Sequence, residues 1–210
     1  MDLKNTTLLL VFTKNPVLGK VKTRLAAAIG EDEALNVHKA LMRQTINQLV
    51  HCTCDKVVYY AEGIESNDLF SKNGYRQEIQ SGTDLGVRMK NAFTAEFSHG
   101  YQSIVIVGTD CPEIDAASIS LAFLQLETKD VVLGPAHDGG YYLLGLSAMY
   151  SALFEGIAWS TSSVFEQTVE LAVKANLSIG DVSMKHDIDT LNDLKASDFG
   201  KVHFPHLMNQ

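Results

Sequence analysis

The sequence predicts an α/β domain whose sheet is mixed but mostly parallel and flanked by helices. Three observations carry this. Runs such as Thr7–Thr13 and Ser103–Val107 are apolar on both faces, as strands buried between helical layers are. Strand-like and helix-like segments alternate through the first half of the chain. In the second half, Asp130–Leu133 and Tyr141–Leu146 are strand-like and lie too close together for a helical crossover, which predicts an antiparallel pair.

Taken in order, Thr7–Thr13 is the first strand, and Pro16 and Gly19 mark the loop after it. Ala26, Ala27 and Ala28 favour helix next. Glu31–Val50 carries an apolar-leaning stripe of Ala34, His38, Leu41, Met42, Thr45, Ile46 and Leu49, a helix with one buried face. Asp55–Ala61 is a second strand and Tyr75–Gln80 a weaker third. Asp84–Phe97 is helical, with Leu85, Met89, Phe93 and Phe97 at steps of four. The strand Ser103–Val107 breaks at Gly108 and leads within three residues to Asp110, where open α/β sheets place their chemistry. Asp115–Leu126 is a helix that Asp115 or Ser118 can cap. After the antiparallel pair come a helix at Ser162–Ala175, a last strand within Leu177–Val182, and a short helix at Leu191–Ala196. Residues 1–196 therefore read as one domain, and 197–210 as a C-terminal tail with no clear pattern.

Bulk properties exclude several classes. A net charge of −8 over 210 residues disfavours nucleic acid as a partner. No stretch approaches the ~18 apolar residues of a membrane span. Leu8–Phe12 is too short for a signal-peptide core. The three cysteines, Cys52, Cys54 and Cys111, form no disulfide framework, which points to reduced thiols in a cytoplasmic protein.

Against this acidic background, Lys14, Lys20, Lys22 and Arg24 put four of the 17 basic residues into eleven positions after the first strand. Cations there suit an anion, and phosphate is the natural guest. The loop is not a P-loop: Gly19-Lys20 is followed by Val21 rather than Ser or Thr. A solvated basic turn is the alternative. Asp110, with Asp187 or Asp189, can supply the one or two carboxylates that Mg²⁺ prefers, and Asp189 can equally be a helix cap. Gly82, Leu85 and Gly86 are placed to wrap a nucleobase, with Arg88 reaching a phosphate and Asp84 capping the helix. The turn His137-Asp138-Gly139-Gly140 can approach a ligand closely or simply close a hairpin. Trp159 beside Ser160 and Thr161 can wall an acceptor pocket or sit in the core ahead of a helix cap.

Several motifs then line up: Lys14-X-Pro16-X-X-Gly19-X-X-Lys22-Thr23-Arg24-Leu25, Gly82-X-Asp84-Leu85-Gly86-X-Arg88-Met89, Gly108-Thr109-Asp110-X-Pro112, Asp138-Gly139-Gly140-Tyr141-Tyr142-Leu143-X-Gly145, Trp159-Ser160-Thr161 and Asp187-Ile188-Asp189-Thr190. In order and spacing they resemble a bacterial family of GT-A-fold proteins, usually labelled glycosyltransferases or radical-SAM/selenodomain-associated transferases. More distantly they are similar to 2-phospho-L-lactate and molybdenum cofactor guanylyltransferases.

The resemblance implies a GT-A (nucleotide-diphospho-sugar transferase) fold and a cytoplasmic transferase that needs Mg²⁺ or Mn²⁺. It implies that Asp110, Asp187 and Asp189 hold the metal, and that Lys14, Pro16, Gly19, Lys22, Arg24, Gly82, Leu85, Gly86, Arg88 and Thr109 face the nucleotide and its phosphates. Gly139, Gly140, Tyr141, Trp159, Ser160 and Thr161 are then expected at the acceptor, with Asp110, Lys22, Arg24 and Asp138 in the chemistry. Two reactions are consistent with these residues. One is glycosyl transfer from a nucleotide-diphospho-sugar to a small acceptor, with Asp138 or Asp187 as the base. The other is nucleotidyl transfer from a nucleoside triphosphate to a small phosphorylated acceptor, releasing pyrophosphate. A non-catalytic nucleotide-binding protein is a third reading.

Overall fold

The computed structural model describes residues 6–64 and 66–208. The ends of the expected domain and tail, residues 1–5 and 209–210, lie outside them. Seven strands form one sheet: β1 (Thr7–Thr13), β2 (Asp55–Tyr60), β3 (Arg76–Ile79), β4 (Ser103–Gly108), β5 (Val131–Pro135), β6 (Tyr141–Leu146) and β7 (Ile179–Asp181). Their spatial order is β3-β2-β1-β4-β6-β5-β7. All pairings are parallel except those of β6, which runs antiparallel to both β4 and β5. The helices are α1 (Thr23–Ile29), α2 (Glu31–Leu49), α3 (Leu85–Ser98), α4 (Ala116–Leu126), α5 (Val164–Lys174), α6 (Leu191–Ala196) and α7 (Asp198–His203). None is long and apolar enough to cross a membrane.

Strand alternation divides the core. Leu9, Val11, Val58, Val105 and Val107 point to one face, where Met42, Ile46 and Leu49 of α2 and Ile119, Ala122 and Leu126 of α4 cover them. Leu8, Leu10, Val57, Ile104 and Ile106 point to the other, under Met89 and Phe93 of α3 and Ala172 of α5. The doubly buried β1 and β4 sit at the centre, which is why their sequences are apolar throughout.

One sequence expectation is corrected. Residues 197–208 are not a patternless tail. Ser197 caps α7 by accepting from the Gly200 amide, and Phe199, Phe204 and Leu207 are buried with Leu25 of α1, Val37 and Leu41 of α2, and Ile188 and Leu194. These aromatics are spaced too irregularly to show a helical stripe, so the segment carries no periodic signal of its own.

The topology sets up the site. The loops after β1, β2, β3 and β4 all leave at the carboxyl edge of the sheet. Because β6 is reversed beside β4, its first residues, and the turn 136–140 before them, arrive at that same edge.

Candidate active site

Lys22 is the residue around which the edge is built. It stands immediately before α1 with φ 47° and ψ 44°, a left-handed conformation that non-glycine residues rarely adopt, and it makes no helix-capping hydrogen bond. Its side chain, only 4% exposed, runs inward instead. Nζ lies 2.7 Å from Asp110 Oδ1 and 3.3 Å from Asp189 Oδ1, and it donates to the Ile188 carbonyl at 2.5 Å. Burial pulls the Lys22 pKa down, but Asp110 and Asp189 outweigh it and hold the ammonium above the ordinary lysine value. Burial likewise pushes Asp110 up, and the Lys22 charge more than reverses this.

The segment 187–189 is tied beside Asp110 by the Ile188 amide, which donates to the Asp110 carbonyl at 2.9 Å. Asp187 and Asp189 then differ sharply. Asp189 pairs with Lys22 and, at 3.7 Å, with Arg24. Asp187 has a buried Oδ1 with no partner among the described residues, and burial, then the Asp110 charge, push its carboxyl up to about 7. Asp189 is not the helix cap. Thr190 caps α6 in a reciprocal box with Asp193, a Thr-X-X-Asp signature that the sequence carries. Among the described residues, no three His, Cys, Asp or Glu side chains form a metal-binding group.

Of the other cations, Lys14 is exposed, Arg24 is 71% exposed, and Lys20 pairs with Glu62 at 3.3 Å. The loop that carries them is held from below. His38 Nε2 sits 3.1 Å from the Lys14 carbonyl, and burial lowers the pKa of that histidine. Asn15 bonds Gly63 through both ends of its amide and accepts from the Glu62 amide. Sequence reasoning placed His38 on the buried stripe but gave neither residue this loop-bracing part. Thr109 is buried, and its hydroxyl lies 3.1 Å from that of Thr13, joining the end of β1 to the residue after β4. Pro16 and Gly19 shape the loop, Gly19 lying against Glu31 with φ +74°.

Asp84 does cap α3, accepting from Val87. Arg88 does not extend as a free phosphate ligand: it braces its own loop, bonding the Gly82 carbonyl at 3.1 Å and Gln80 at 3.4 Å. Leu85 is exposed, whereas Gly86 is buried because the Trp159 indole lies on it, where any Cβ would collide. At the other end of the same segment, Gly139 (φ +88°) packs on the Ser162 carbonyl and its own carbonyl accepts from the Phe165 amide. The stretch Trp159-Ser160-Thr161-Ser162 thus links the start of α3 to the turn before β6, with Ser160 in the left-handed region at φ 64°. Asp138 is exposed in that turn, its Oδ1 accepting from Gly140. Tyr141 is turned inward: its hydroxyl is buried and its ring packs on the core under α3 and α5.

The chain therefore has the fold of nucleotide-diphospho-sugar transferases, with a buried lysine paired to a half-exposed aspartate at the carboxyl edge of its sheet. It belongs to the family described as "Uncharacterized protein conserved in bacteria (DUF2064)", which residues 44–161 match. A protein from Desulfovibrio desulfuricans, provisionally named a nucleotide-diphospho-sugar transferase, is 29% identical over 98% of both chains with a TM-score of 0.88. A cytidylyltransferase from Leptospira borgpetersenii is 16% identical over 98% of both chains, with a TM-score of 0.56. The inositol-1-phosphate CTP transferase from T. maritima is 14% identical over 99% of this chain and 97% of its own, with a TM-score of 0.54, a likeness of fold. No curated protein matches the chain.

Proposed function

We propose that this chain is a transferase that uses a nucleotide-diphospho-sugar donor with Mg²⁺ or Mn²⁺ and passes the sugar to a small acceptor. The observation that carries the reading is the buried Lys22 ammonium between Asp110 and Asp189, beside the orphaned Asp187 oxygen and below the exposed Lys14 and Arg24. A donor diphosphate would lie against Lys14 and Arg24. Asp110 and Asp187 would hold the cation, and its remaining shell would come from phosphate oxygens and water, which is how Mg²⁺ binds where no closed protein cage exists. Bound there, the cation would neutralise charge on the departing diphosphate. Lys22, paired with both Asp110 and Asp189, would hold these carboxylates in place beside the cation. Asp138, exposed at the turn with its Oδ1 accepting from Gly140, would take the acceptor hydroxyl proton on Oδ2 as that oxygen attacks the anomeric carbon and the bond to the diphosphate breaks. The resemblance to the Desulfovibrio protein supports the sugar donor.

One observation favours a second reaction on the same groups. Arg24 is largely exposed and, among the described residues, is held by its long contact to Asp189, so it could grip an outgoing pyrophosphate in nucleotidyl transfer. Thermal shift and product analysis with Mg²⁺ or Mn²⁺ across nucleotide sugars and nucleoside triphosphates separate the two. Stabilisation by nucleotide sugars, lost in Asp110→Asn, is the expected result. Preference for triphosphates with pyrophosphate release would replace the first reaction by the second. The absence of any metal-dependent nucleotide effect would remove both.

A further inference from the structure

The reaction proposed above leaves unused a cavity of about 240 Å³ behind the cation loop, between α2 and the connection from β2 to β3. Two of its walls are cationic. Lys39 and Arg43 stand four residues apart on α2, so they share one helix face, and neither has a salt-bridge or hydrogen-bond partner among the described residues. Like charges at that spacing disfavour the helix unless an anion lies between them. The lining also holds one carboxylate, Asp68, whose Oδ1 accepts from the Ser71 amide at 2.7 Å. Two cations face this one anion, so the balance of charge among the lining residues is positive. The floor is apolar, formed by Met42, Leu69 and the Tyr60 ring, and the buried Tyr60 hydroxyl has no hydrogen-bond partner among the described residues. Asn15, bonded to Gly63, and Pro16 form the remaining wall, on the side toward the cation loop.

We propose that this cavity is a second ligand site, separate from the nucleotide edge, that binds a small organic anion: an apolar body seated on Met42, Leu69 and Tyr60, with its carboxylate or phosphate between Lys39 and Arg43. The volume suits a single-ring or short-chain molecule and is below the range of drug-sized ligands. A free inorganic anion would satisfy the two cations but leave the floor uncovered.

Titrations followed by ¹⁵N NMR on the full chain test this, with phenyl phosphate and benzoate as probes and inorganic phosphate and benzyl alcohol as controls. At least one aromatic anion should bind saturably, with shifts centred on residues 39–43, 60 and 68–69. The tighter of the two identifies the headgroup. Inorganic phosphate should bind several-fold more weakly, and benzyl alcohol should not bind there. The double variant Lys39→Gln/Arg43→Gln, whose changes lie at the cavity rim and spare the core, should weaken the aromatic anion by about tenfold or more, the effect of losing charge-assisted hydrogen bonds. Arg24→Gln should leave it unchanged. Binding that survives the double variant, that falls instead with Arg24→Gln, or that is matched by inorganic phosphate would overturn the proposal, as would failure of both aromatic anions to bind.

Discussion

Replacing Lys22 by Met keeps most of the side-chain volume and removes only the charge and its donors. Three acceptors then lose their partner together: Asp110 at 2.7 Å, Asp189 at 3.3 Å and the Ile188 carbonyl at 2.5 Å. Removing one member of a fully buried ion pair costs about 3–5 kcal/mol. Here the ammonium is buried, but Asp110 and Asp189 are 47% and 39% exposed, so water recovers part of that cost. A destabilisation of about 2–3 kcal/mol is expected, which for a domain of this size lowers the melting temperature by roughly 5–10 °C. Three carboxylates would then converge with the exposed Arg24 and Lys14 left to offset them. Millimolar Mg²⁺ should therefore restore part of the loss in the variant while barely affecting the parent chain. Urea unfolding and thermal melting, with and without Mg²⁺, measure both effects. A Lys22→Met protein as stable as the parent in metal-free buffer would refute the view that this ammonium holds the edge together.

Three further outcomes follow from the packing. Gly86→Ala places a methyl group on the Trp159 indole, so the fluorescence of the sole tryptophan should shift to the red and stability should fall by about 1–3 kcal/mol; an unchanged spectrum would mean that the indole does not lie there. Phe204→Ala should cost about 3–5 kcal/mol in urea unfolding, whereas a true tail would lose nothing. Glu96 is fully buried. Burial raises its pKa, but hydrogen bonds from Arg76, Tyr59 and His99 outweigh this and hold it below the ordinary glutamate value. A depressed carboxyl stabilises the fold above its unfolded pKa of about 4.3 and loses that contribution as pH falls through the folded value. Urea midpoints measured from pH 6 down to pH 3 should therefore drop less steeply in Glu96→Gln than in the parent, and equal slopes would exclude this network as the source.

The parts of the fold that were legible in the sequence are those where one residue type decides the outcome. β1 and β6 run over the expected residues because a strand buried on both faces must be apolar from end to end. The stripe on α2 was readable for the same reason, and Val37 joins it in the core. Strand order was not legible. It depends on which strands pair at long range, and nothing local in Tyr141–Leu146 says that this strand inserts between β4 and β5. At the site, the clustering of cations and carboxylates was visible as composition, but their pairing was not. Lys22 looked like any other member of a basic loop, and only its burial shows that it belongs to Asp110. Asp187 and Asp189, two residues apart, read alike as metal ligands, and only the structure shows one with a buried oxygen that has no partner among the described residues and the other paired with Lys22. Thr190 was the missed signal, since its box with Asp193 is written in the chain.

The contacts of Lys22 also bear on how the protein is made. Its partners at Ile188 and Asp189 lie 166 and 167 residues further along the chain. Leu25, one turn into α1, is covered by Leu194 and Phe199 from the same late region. A ribosome adding about 5–20 residues per second therefore needs on the order of ten seconds or more to supply these groups after Lys22 has emerged. During that interval the sheet can begin to pair while the cation loop lacks its counter-charges and α1 lacks its cover. The edge of the nascent chain is consequently incomplete until residues 188 and 189 have been supplied, and it is most open to chaperones and proteases in that interval.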